Sequence, residues 1–309
     1  MVITSIHSEL TCLSEVLQQH NELANVSLIH VGLLGCSPTF PTTAIMLQCL
    51  ELYHQLRRRQ SSFSIQAFAK ALCSLHNITY VPTFHDQFTM AFDAYLAILR
   101  EVQTRVDVSL GQSDPNWHLR YGCPACTFKQ EDEPPLHPAS LKSMDGNNSA
   151  KRMANAGYAD QRVFQSRYMI SPSQVDVFKD DVQLRPGARQ QSDSDPASCT
   201  DNWKAANSTD ENTIRVFEQT GIFLAACRHG MVQTIAEMRH SGELAKYPLA
   251  TINKLLDMCG NNQAIGTDIG CQLSKTVAAS SLCHKAKQCD LRLAVNAFHG
   301  HAHNRRCQL

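Results

Sequence analysis

The sequence predicts a mixed α+β protein, with a helical N-terminal region followed by an α/β core. Three observations carry this. Apolar residues recur at helical spacing through the first third of the chain. From Ile214 onward, short apolar runs bounded by turn residues alternate with amphipathic stretches. The 309 residues are 43% apolar and 18% charged, a globular composition long enough for one large domain or two ordinary ones.

In chain order, a short helix-like segment containing Cys12 precedes SLIHVG. Pro41, after SPTF, suits a first helical turn. Ala44, Leu47, Leu50, Leu52 and Leu56 then recur up to Arg57-Arg58-Arg59, which reads as a solvated helix end rather than a targeting signal. A second helix fits Phe63 to Leu75 and a third fits Asp86 to Val106. Residues 111–138 are rich in turn formers. Residues 139–145 read as a short strand ending at an Asp-Gly turn. From Val182 to Asn212 the composition shifts to Gln, Ser, Asp, Asn, Pro and Gly, which predicts a long loop or insertion. Strands are then expected at GIFLAAC, at QAIGTDIGC (Gln263 to Cys271), read as a buried strand leading into a helix, and at Leu291 to Phe298. A helix is expected over Leu244 to Met258.

Charge and cysteine usage narrow the setting. Net charge is zero and the sequence pI is about 7.2, so no global charge draws the chain to nucleic acid. A local patch remains in the tail, where Lys285, Lys287, Arg292, Arg305 and Arg306 face one acid, Asp290. The start MVITSIHSEL lacks the basic and apolar regions of a secretory signal, and no run is long enough to span a membrane. An intracellular, reducing compartment is expected, where thirteen cysteines read as metal ligands or small core residues rather than disulfides.

Three constellations can carry chemistry. Cys123-Pro-Ala-Cys126 is a C-x-x-C pair, able to grip one zinc ion from a single turn. The other half of such a site is Cys199, or Cys227 with His229 in ACRHG; the bland alternative makes Cys227 a core residue and His229 a satisfied polar group. In FHGHAHNRRC, His299, His303 and Cys307 are spaced four apart and share a face if the segment is helical, while His301 points elsewhere. Such a face can hold a metal or a phosphate; the alternative is an ordinary strand-to-helix corner. Asp145 and Asp268 each end a short apolar segment ahead of a turn. Two such carboxylates on neighbouring strands can hold the divalent metals of phosphoryl transfer, whereas Asp before Gly is also a common turn pair.

Several blocks in order, CPACTFKQEDEP, MDGNNSAKR, TGIFLAACRHG, SGELAKYPLATINKLLD, TDIGCQL and FHGHAHNRRCQL, resemble the Kyakuja-Dileera-Zisupton (KDZ) transposases of fungi. HVGLLGCSPTFPTTAIMLQCLELYHQLRRR is similar to the region that follows their CxC cysteine cluster. The resemblance implies an RNase H-like core with three catalytic acids, magnesium or manganese as cofactor, transposon-end DNA as partner, self-association and work in the nucleus. Asp145 matches the first acid and Asp268 the second. The third, a glutamate, lies beyond CQL in the family, and Leu309 follows CQL directly. Glu243 belongs to another block and is not assigned to that place. The expected organisation is therefore a helical region over 1–110, a cysteine knuckle and linker over 111–138, and a core over 139–309 with an insertion at about 150–213. Both ends look trimmed, so an inactive fragment is expected, prone to aggregate, with a zinc-stabilised binding module or a decayed element product as the alternative.

Overall fold

The computed structural model describes residues 2–6, 11–18, 20–155, 166–181, 216–300 and 303. The mixed α+β class holds, and the chain divides into two compact units, Met1–Ser113 and Asp114–Leu309.

In the first unit the described residues form a sheet of β1 (Val2–Ile6), β2 (Thr11–Glu15), β3 (Leu33–Gly35) and β4 (Thr43–Met46), in the order β2-β1-β4-β3. The segment around Cys12 is thus strand, not helix, because β2 pairs antiparallel with β1. Likewise the helix expected from Pro41 begins later. Thr43–Met46 is taken up by pairing with β1 and β3, and α2 covers Leu47–Arg59. Helix α1 (Ala24–His30) packs near β3. Helix α3 (Ile65–Leu75) starts at Ser64, whose hydroxyl accepts from Ala67 N at 3.1 Å. Helix α4 (Pro82–Ser109) opens with proline in its first turn. Tyr53 anchors the core. Its ring lies 4.9 Å from Phe68, 5.4 Å from Phe88 and 4.8 Å from Phe92, and its hydroxyl donates to Phe63 O at 3.1 Å.

The second unit is built on a sheet of order β11-β10-β5-β8-β9-β7, with β6 (Arg152–Met153) also paired to β8. Strands β5 (Ser140–Asn147), β8 (Phe217–Cys227) and β9 (Val232–Arg239) are antiparallel neighbours. Strands β10 (Gln263–Thr267) and β11 (Arg292–Val295) continue parallel to β5. Three antiparallel strands are thus followed by two parallel ones. Strand β7 (Met169–Ile170) closes the far edge beside β9 and leads into α7 (Pro172–Asp176), so part of the stretch expected to be insertion joins the sheet.

All five residues of β10 are buried, as a central parallel strand demands. Helix α8 (Lys246–Cys259) buries Leu249, Ile252, Leu255 and Leu256 in a core shared with Met144, Phe223, Met238 and Ile265. Helices α9 (Gly270–Ala279) and α10 (Cys283–Gln288) connect β10 to β11. β11 ends at Val295, short of the expected Phe298, and α11 (Ala297–Gly300) follows. Helices α5 (Trp117–Tyr121) and α6 (Pro124–Thr127) precede β5 and carry the cysteine pair.

Candidate metal centres

Strand pairing alone brings the two predicted aspartates together. β5 and β10 run parallel with Ser143 opposite Gly266. Asp145 and Asp268 each lie two residues further on, so both leave the same end of adjacent strands, whose spacing is about 4.8 Å. Asp145 does not end its strand at a turn. β5 runs on through Gly146 and Asn147 because both pair with β8. Along β5, Lys142 and Met144 are buried while Ser143 and Asp145 are exposed, so alternation turns Asp145 away from the face of Met144.

A third carboxylate joins them. One oxygen each of Asp145, Glu243 and Asp268 lie within 4.8 Å of one another. In the sequence Glu243 belongs to another block, yet the connection from β9 to α8 delivers it here. That connection is pinned at Ser241, whose hydroxyl meets the Tyr247 hydroxyl at 2.7 Å and whose carbonyl accepts from Thr220. The Tyr247 hydroxyl also accepts from Arg239 N at 3.1 Å. The Glu243 carboxylate lies close against Gly146, where a Cβ would overlap it. The only local signal in the sequence is an acid placed just before a strongly apolar helix; its neighbours in space are set by the sheet.

The three carboxylates crowd and repel one another. Burial, then Asp268 and Asp145, push the Glu243 carboxyl up to about 7. Asp145 is also raised, by burial first and by Asp268, against the N–H of Gly146 and the nearby His299, which lower it. Gly146 N donates to Asp145 Oδ1 at 2.7 Å, and Ile269 N donates to Asp268 Oδ1 at 2.8 Å. Three crowded oxygen donors are the set a hard divalent cation takes.

The second centre lies at the other end of β5. Cys123, Cys126, Cys227 and His229 place one ligand atom each within 4.8 Å of the others, so this cluster can hold a metal ion. Of the two predicted distal halves, the structure brings in Cys227 with His229; Cys199 lies outside the described residues. Cys123 caps α6 and its carbonyl accepts from Cys126 N at 3.0 Å. Cys227 closes β8, and the β8–β9 turn folds back through Gly230, at φ +81°. Burial raises the Cys126 thiol to about 12, and the adjacent cysteines add to it. Cys227 is lowered: burial opposes this, but the N–H groups of His229 and Met231 and the neighbouring cysteines outweigh it.

Of the predicted His299, His303 and Cys307 face, His299 lies in α11 and His303 follows it, while Cys307 and His301 lie outside the described residues. His299 acts on Asp145, and His303 Nδ1 lies 3.7 Å from Cys271 Sγ. In the basic tail, Lys285 is held by Asp257 at 2.6 Å and Arg292 by Asp290 at 2.9 Å. No helix among the described residues is long and apolar enough to cross a membrane.

Compared with known proteins, residues 138–309 match the family model described as Kyakuja-Dileera-Zisupton transposase. No curated protein and no solved structure matches.

Proposed function

Because the chain belongs to the Kyakuja-Dileera-Zisupton transposase family, we propose that it cuts and joins DNA strands at a divalent-metal site formed by Asp145, Asp268 and Glu243. One observation carries this reading: the three carboxylates converge, although they come from two strand ends and a loop far apart in sequence. Magnesium or manganese, held there, would supply Lewis-acid polarisation of the scissile phosphate and of the attacking oxygen. The chain's own part is positioning. The N–H groups of Gly146 and Ile269 fix one oxygen of each aspartate and so aim the other. Glu243, whose carboxyl burial and the two aspartates raise to about 7, would hold the cation as its carboxylate.

On this reading the third acid comes from the β9–α8 connection and not from a residue beyond Leu309. The activity therefore resides in this chain rather than being lost from it. Transposon-end DNA is the partner and the nucleus the place of work, both inferred from the family activity.

The test is nicking of supercoiled plasmid by the purified chain in magnesium or manganese. Expected is metal-dependent nicking that Asp145→Asn, Asp268→Asn and Glu243→Gln each reduce by about 100-fold or more. Absence of nicking, or nicking indifferent to Asp145→Asn, overturns the reading. DNA retained without cleavage would favour a binding module instead.

A further inference from the structure

We infer that Cys123, Cys126, Cys227 and His229 form a structural Cys3His zinc site, separate from the acidic centre, that fastens the segment ahead of β5 to the β8–β9 hairpin. The two sulfur-to-nitrogen distances suit a tetrahedral site. With Zn–S of about 2.3 Å and Zn–N of about 2.0–2.1 Å, tetrahedral ligands stand roughly 3.5 Å apart from S to N and roughly 3.8 Å from S to S. His229 Nδ1 lies 3.5 Å from Cys123 Sγ and 3.2 Å from Cys126 Sγ, and all four ligand atoms fall within 4.8 Å of one another.

The backbone around the ligands is already shaped for the task. Cys126 N and Thr127 N both donate to the Cys123 carbonyl, at 3.0 and 3.2 Å, which curls the C-x-x-C turn around its two sulfurs. On the other side, Gly230 N donates to Cys227 O at 2.9 Å and Cys227 N donates to Met231 O at 3.0 Å, closing the hairpin that presents Cys227 and His229. Cys123 and Cys227 are buried, and Cys126 and His229 lie at the rim. A site with four protein ligands leaves no open position for a reactant, the mark of a structural ion.

Three thiolates and one imidazole are soft and borderline donors, whereas the acidic cluster offers oxygen alone. Each centre thus selects a different metal. Cys227 pairs with Lys142, three residues before Asp145, so the centres are separated along β5 by about 10 Å. Ligation through Nδ1 puts the ring proton on Nε2, which now accepts from Arg228 Nε at 3.2 Å; Arg228 is exposed and turns to solvent at no packing cost.

The ion closes a long loop, since Cys123 and His229 are 106 positions apart. Without it the arm is tied to this region by weaker bonds, such as His118 Nε2 to Gln233 O at 2.9 Å and the Cys259 thiol to Leu119 O at 3.6 Å. The arm also walls a cavity of about 510 Å³ lined by Trp117, Tyr168 and Gln233 among others.

The full chain, purified under reducing conditions and dialysed against EDTA, is assayed for metal by mass spectrometry. One zinc per chain is expected in the wild type and in Asp145→Asn, falling to a small fraction in Cys126→Ser and His229→Ala. Cobalt exchanged into the wild type should show the intense visible bands of tetrahedral cobalt with thiolate charge transfer. His229→Cys should keep the metal and strengthen that charge transfer. Iron or copper in place of zinc, an octahedral cobalt spectrum, zinc that survives Cys126→Ser, or a disulfide among the three cysteines would each overturn the assignment. Because zinc content is read without DNA cleavage, failure of the nicking assay leaves this result standing, and the reverse also holds.

Discussion

Gly146 and Glu243 compete for the same volume, and the competition is testable. In Gly146→Ala the new methyl overlaps the far end of a flexible side chain, so the fold yields easily while the carboxylate is displaced. Stability should change by less than about 1 kcal/mol. Manganese affinity, measured by calorimetry, should fall roughly tenfold, about 1.4 kcal/mol. The raised carboxyl of Glu243 gives a second prediction, with a definite sign. Its folded value of about 7 lies above the ordinary 4.5, so the protonated form suits the metal-free fold. Its contribution to stability without bound metal is therefore fully present below 4.5 and is lost as pH rises toward 7. The side chain keeps part of its surface in solvent, so the decline attributable to it is held to about 1 kcal/mol. Glu243→Gln should flatten the profile in chemical denaturation, and added magnesium should raise the melting temperature more at pH 8 than at pH 5.5. Asp145 and Asp268 were legible through the family resemblance of MDGN and TDIGC, since their local pattern fits turn capping equally well. Glu243 was not, because what recruits it is Tyr247 and Thr220 holding Ser241 from other elements.

Elements differ in how far their own residues determine them. Helix α8 was legible because Leu249, Ile252, Leu255 and Leu256 recur on one face, and that face is the buried one. Leu255→Ala should cost about 3 kcal/mol by urea denaturation, since Leu255 is fully buried, while Leu244→Ala, half exposed in the preceding loop, should cost well under 1 kcal/mol. Thr43–Met46 was misread as helix because its few apolar residues fit either period. The decision came from distant partners, β1 and β3. The same cause carries β5 through Asp145-Gly146, a pair that locally favours a turn, because β8 supplies the hydrogen bonds. The cysteine pair could be read as half a site; what brings Cys227 and His229 to it is the β8–β9 hairpin.

At the scale of the whole chain, 28 basic and 28 acidic residues cancel, and two tail cations are already committed to Asp257 and Asp290. With no net positive charge, the general electrostatic pull on phosphates is weak. The slope of log affinity for duplex DNA against log salt should be shallower than about −4, measured by fluorescence anisotropy; a steeper slope would mean a basic surface beyond the tail. The sheet order has a further consequence, in the time domain of synthesis. β5 leaves the ribosome first, but its antiparallel partner β8 begins at Phe217, about 70 residues after Asn147, and β10 is later still. At 5–20 residues per second, β5 waits roughly 4–14 s before β8 has even been made. Throughout that wait the strand bearing the first aspartate is an unpaired edge, and a chaperone that covers extended segments is the cellular factor this chain should need most.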